Sequence, residues 1–184
     1  MLEKSLVAHC SPTLAGLKSA SMFNYSFTSK HHLDAQLETC RRALACKGVS
    51  IRILKLHDDW ALIYVYREQM VQEELRRKNV FNFLSTYGYE TDRIDYCIER
   101  LASRITSQNG FPHEVGLFLG YPLDDVKGFI QHKGKNCRCV GCWKVYCNEC
   151  EARKTFAKFD KCRAVYHDLF HRGIRTVEQL TIAA

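Results

Sequence analysis

Apolar positions along this chain switch between a helical and a strand-like spacing, and each switch marks an element. Ser11 followed by Pro12 has the form of an N-cap and first helical residue, which predicts a short helix through Leu17. Leu33, Leu37, Cys40, Ala43 and Leu44 then recur at helical spacing, with Lys47-Gly48 as a stop. Val49–Leu56 and Ala61–Tyr66 are rich in β-branched and aromatic residues, and His57-Asp58-Asp59-Trp60 supplies a turn between them, which predicts an antiparallel hairpin with Tyr64 and Tyr66 on one face.

Residues 68–87 read as one or two helices ending near Gly88, and 92–107 as another with Ile94, Cys97, Ile98, Leu101 and Ile105 on one face. Phe111-Pro112 restarts the chain. His113 to Leu119 looks helical up to Gly120-Tyr121-Pro122, and Leu123 to Gln131 continues as a second helix. Trp143-Lys144-Val145-Tyr146 has strand character and is expected to join the hairpin as a third strand. Asn148 with Glu151 resembles a capping box opening a long helix to about Arg172, ended by Gly173. This order predicts an α+β fold, a small antiparallel sheet (hairpin plus a third strand) covered by several helices, rather than a βαβ parallel sheet.

Length narrows the organisation: 184 residues suit one domain spanning 1–184. Met1 to Leu6 carries Glu3 and Lys4 and lacks the apolar run of a signal peptide, and no stretch approaches the roughly 18 apolar residues of a membrane span. A cytoplasmic location is therefore expected, with no membrane partner. Ten cysteines in a reducing compartment point to free thiols, metal ligands or redox groups rather than a disulfide framework. The formal charge of +7 would tolerate an anionic partner, although excess lysine and arginine commonly make a solvated surface.

Several segments carry a resemblance. They are Cys10-Ser11-Pro12-Thr13-Leu14-Ala15-Gly16-Leu17-Lys18, Val65-Tyr66-Arg67, the long run from Phe111 to Ile130, and Trp143-Lys144-Val145-Tyr146. On these the chain resembles a bacterial family known as domain of unknown function 3793, found mostly in anaerobic Firmicutes. The resemblance implies an uncharacterised cytosolic protein and supplies no reaction, cofactor or catalytic residue. Cys147 and Cys150 stand where the family pattern has Gly-Asp and other polar residues, so a four-thiolate site would be particular to this sequence.

The strongest local chemical signal is Cys137, Cys139 and Cys142 followed by Cys147 and Cys150, with Cys162 further on. Two C-x-x-C turns can supply the four thiolates of a zinc site or an iron–sulfur cluster. The separation argues the other way: only Trp143 to Tyr146 lie between the pairs, and four residues in a strand hold two turns about 13 Å apart. Lys135, Arg138 and Lys144 would favour thiolates, which keeps redox chemistry open beside metal binding and beside the plain reading of small buried hydrophobes.

A small enzyme is the alternative, using Cys10 at a helix N-terminus, His113 as base, and Lys18 and Lys144; nothing in the sequence brings these together. A second alternative takes Glu114 to Gln131 as a helix-turn-helix, but Asp124 and Asp125 would repel phosphates where a recognition helix approaches DNA, which argues against a nucleic-acid partner. That acidic pair fits a helix N-terminus instead. The expectation is a binding or accessory protein with an unknown protein or small-molecule partner, any cofactor being zinc or an iron–sulfur cluster, and with the question of catalysis open.

Overall fold

A computed structural model describes residues 1–107 and 111–183. In chain order its elements are α1 (Leu2–Leu14), β1 (Ala20–Ser26), α2 (Lys30–Ala45), β2 (Val49–Leu56), β3 (Trp60–Arg67), α3 (Glu68–Arg76), α4 (Lys78–Ser85), α5 (Ile94–Ser107), α6 (Val115–Phe118), α7 (Leu123–Gln131), β4 (Cys139–Val140), β5 (Lys144–Val145), α8 (Glu149–His171) and α9 (Val177–Leu180). The fold is α+β, with an antiparallel sheet of order β1-β3-β2 and a separate β4-β5 pair.

The central strand explains the layering. Ala61 to Arg67 are all buried, because both sheet faces are covered and the usual in-out alternation is lost. The period of two still sorts its side chains. Leu62, Tyr64 and Tyr66 face a core shared with α3, α4, α5, α6 and α7, whereas Ala61, Ile63 and Val65 face a core shared with α1, α2 and α9. Tyr64 and Tyr66 share a face, as their spacing predicts, with rings stacked at 4.9 Å. Tyr64 also donates to the Phe118 carbonyl at 2.6 Å, tying α6 to the sheet.

Three local expectations are corrected. The third strand of the sheet is β1 rather than Trp143–Tyr146, and β1 was silent because Ala20-Ser21-Met22-Phe23-Asn24-Tyr25-Ser26 mixes small and polar residues of weak strand propensity. The first helix starts at Leu2 and carries Pro12 inside its last turn, with Ser11 Oγ bonded back to the Val7 carbonyl instead of capping. Asn148 adopts φ 45° and makes no side-chain cap; a capping box is formed instead by Thr176 with Gln179, at α9.

Arg67 explains why Val65-Tyr66-Arg67 is a distinctive run. Its side chain is buried, and it donates to the carbonyls of Thr13 and Leu14 at 2.6 Å and of Ile182 at 2.8 Å. The orphan carbonyls at the end of α1 are thereby satisfied from across the sheet. Among the described residues no helix is long and apolar enough to cross a membrane.

Candidate functional site

Two residues per strand are too few for β4 and β5 to stand alone. Their ladder is Cys139 opposite Val145 and Val140 opposite Lys144, closed by Gly141 N donating to the Trp143 carbonyl at 3.0 Å. What holds this cysteine hairpin is Asp125, on the first turn of α7 and only 3% exposed. Its carboxylate accepts from Trp143 Nε1 at 2.7 Å, Tyr146 N at 2.7 Å, Cys147 N at 2.9 Å and Cys147 Sγ at 3.2 Å. Gly128, three residues along the same helix, leaves room for the Tyr146 ring: a Cβ there would sit 2.5 Å from it. Trp143 is then locked by stacking on Tyr121 at 5.0 Å and by an edge contact with Phe156 of α8 at 4.6 Å.

This docking gives the five clustered thiols different surroundings. Cys137 and Cys139 are half-buried, and Cys150 is exposed on the first turn of α8. Cys147 donates to Asp125, and burial with that bond pushes its thiol up to about 11. Cys142 is half-buried and accepts from Arg163 Nη2 of α8 at 3.1 Å. Cys162 is buried in α8, with its thiol raised by desolvation. All ten cysteines are free, and among the described residues no group of three or more His, Cys, Asp or Glu side chains is placed to hold a metal ion.

The proposed catalytic residues fall in different places. Cys10 lies in the core between α1 and the sheet, where burial pushes its thiol up to about 12. His113 and Lys144 instead line a cleft built on α6 and α7, which pack against the opposite sheet face. The structure thus unites His113 with Lys144 and leaves Cys10 apart. Lys18, in the turn before β1, points toward Tyr121, its ammonium 5.2 Å from the ring centroid. Burial lowers it to about 8, against the opposing influence of Cys142 and Cys10 nearby. Glu114 is committed elsewhere, to a buried ion pair with Arg104 and a 3.3 Å bond from Tyr89 Oη.

The cleft has a volume of about 350 Å³. Its walls are aromatic at Phe111, Phe129 and Trp143 and aliphatic at Val115, Leu119 and Val126. A smaller cavity of about 240 Å³ lies on another side of Trp143, lined in part by Lys18, Ser19, Glu74 and Arg77. The helix-turn-helix reading loses its geometry: α6 is a single buried turn, and α7 buries Leu123, Asp125, Val126 and Gly128.

Sequence reasoning missed Arg163 and the role of Asp125. Arg163 is remote along the chain and carries no motif. Asp125 was read with Asp124 as helix-terminal charge, which describes exposed Asp124 alone. Its spacing to Gly128, a carboxylate and a gap one helical turn apart, is the signal that marks a docking notch. Comparison with curated proteins and with solved structures finds no match. A family model described as "Protein of unknown function (DUF3793)" matches residues 6–181, which takes in Arg67, Asp125 and the whole cysteine hairpin. The chain belongs to that family of proteins of unknown function.

Proposed function

We propose that this protein is a thiol-based redox accessory protein in which Cys142 is the reacting sulfur. The observation that carries the reading is the 3.1 Å hydrogen bond from the Arg163 guanidinium to Cys142 Sγ, with the Lys18 ammonium within electrostatic reach of the same atom. Cationic neighbours stabilise negative charge on sulfur, and the thiolate is the nucleophile. Among the described residues Lys18 forms no ion pair, and Cys142, ahead of Cys10, is the group that most favours its charge.

The reaction is thiol–disulfide exchange with a low-molecular-weight disulfide. The Cys142 sulfur forms a bond to one sulfur of that disulfide, the original S–S bond breaks, and the departing thiolate leaves with the electron pair and takes a proton from solvent. The protein thiol is oxidised to a mixed disulfide and half of the small disulfide is reduced.

Substoichiometric iodoacetamide followed by peptide mapping tests this. Exposure alone would place Cys46 and Cys150 first. The expected result is Cys142 alkylated about tenfold faster at pH 7, with Arg163→Gln removing most of the advantage. Alkylation of Cys46 and Cys150 ahead of Cys142 overturns the reading. Anaerobically isolated protein holding an equivalent of zinc or iron that shields Cys137, Cys139, Cys142, Cys147 and Cys150 would replace it with a metal-binding one.

A further inference from the structure

We propose that the cleft between α6, α7 and the cysteine hairpin binds a planar aromatic anion, such as an aryl carboxylate or sulfonate. This inference is independent of the chemistry assigned to Cys142, which does not line the cleft.

Shape comes first. A volume of about 350 Å³ is at the small end for ligand sites and suits a ligand of two or three rings. The aromatic rings of Phe129 and Trp143 in the wall favour a flat ring system over a branched aliphatic one. The walls are set before any ligand arrives. Trp143 is held by Asp125 and Tyr121, Phe129 is held edge-on against His113 at 4.9 Å, and Gly116 lets Val126 and Tyr121 close under the floor, a Cβ there falling 2.7 Å from Val126. A rigid cleft loses little freedom on binding.

Exposure points to an occupant. Phe111 is 46% exposed and Val140 68%, and both stand at the mouth of this apolar cleft. Large apolar side chains left in water beside a concave apolar surface are expected where a ligand covers them.

Charge selects the class. Asp125 is the one carboxylate in the cleft's described lining, and its four donors turn its charge toward the hairpin. The basic groups of the wall are Lys144 and His113, and the Tyr121 phenol stays protonated because burial raises it to about 12. Lys144 gives one N–H to the Gly134 carbonyl at 2.7 Å, lies 5.8 Å from the Phe129 ring centroid, and keeps two donors. His113 is exposed and carries a ring N–H donor of its own. An acidic substituent on a ring seated against Phe129 would meet both.

The test is fluorescence titration of the full chain, kept reduced, with 8-anilinonaphthalene-1-sulfonate and with its uncharged relative N-phenyl-1-naphthylamine. The expected result is one saturable site for the sulfonate, with the uncharged dye bound at least fivefold more weakly. Val140→Glu, a change at an exposed position, is expected to weaken the sulfonate at least tenfold with the denaturation midpoint unchanged. Lys144→Met and His113→Gln are each expected to cost about three- to tenfold, and Cys142→Ser nothing. Equal binding of the two dyes overturns the anionic assignment. Undiminished sulfonate binding by Val140→Glu, or no saturable binding at all, overturns the site.

Discussion

The three-stranded sheet and the cysteine hairpin are held by opposite means. In the sheet, β3 is sealed between two apolar cores, and its order comes from many side chains that each contribute a little. In the hairpin, Val145 is the one fully buried residue of the two short strands, and a single carboxylate receives four donors from three residues. A sheet fixed by distributed burial tolerates the loss of one contact. A hairpin fixed at one atom pair does not, and its failure would spread to the thiols it positions.

The sharpest way to break this contrast is Asp125→Ala. It leaves four buried or half-buried donors without an acceptor, and a loss of about 3–5 kcal/mol is expected in urea denaturation. Hydrogen exchange should rise first at residues 139–147, with β1, β2 and β3 protected until global unfolding. Next is Arg67→Met, the sheet's own polar hub, which removes a donor from three carbonyls, of which Thr13 and Leu14 keep a backbone partner in Gly16 N and Ile182 N. A loss of about 2–4 kcal/mol is expected from the same measurement, without selective opening of the hairpin.

Alkaline pH probes the thiols of the two cores that flank the sheet. Burial raises Cys10 to about 12 and Cys40 and Cys97 to about 11, so the unfolded chain releases these protons first. Stability from them is intact below pH 9 and is lost as pH rises from 9 through about 11 for Cys40 and Cys97 and about 12 for Cys10. Lys18, lowered to about 8, works in the opposite sense, because it is neutral in the folded protein while the unfolded lysine still holds its proton. The three thiols outweigh the one lysine, and thermal melts under reductant are expected to show a net loss on the order of 1–3 kcal/mol between pH 9 and 10. The smallest effect sets the baseline. Arg42→Ala breaks an exposed pair with Glu38 on α2, and its change should stay below about 0.5 kcal/mol.

The same contrast accounts for what was legible in the sequence. β2, β3, α2, α5 and α7 follow from periodicity because apolar burial writes itself as a repeat along the chain. β1 did not, since a strand that borrows its order from β3 needs little propensity of its own. Helical spacing also missed Pro12 inside α1, where the last turn loses one backbone bond while Arg67 secures the carbonyls beyond it. At the candidate site the cysteine spacing marked the segment but not its fold, since Trp143–Tyr146 was expected in the main sheet and instead pairs within a separate hairpin. Asp125 and Arg163 act across gaps in sequence through single polar contacts, which leave no periodic trace. His113 and Lys144, chosen as members of a catalytic set with Cys10, do line one cleft, because His113 lies in the run that forms α6 and α7 and Lys144 is on β5, which packs against α7.

One indole borders both the aromatic cleft and the cavity at Lys18. Since Trp143 is pinned through Asp125 to the backbone at Tyr146 and Cys147, whatever enters either compartment meets a side chain already fixed in place. With Trp60, the second tryptophan, replaced, the emission of Trp143 offers a gauge of events on either side.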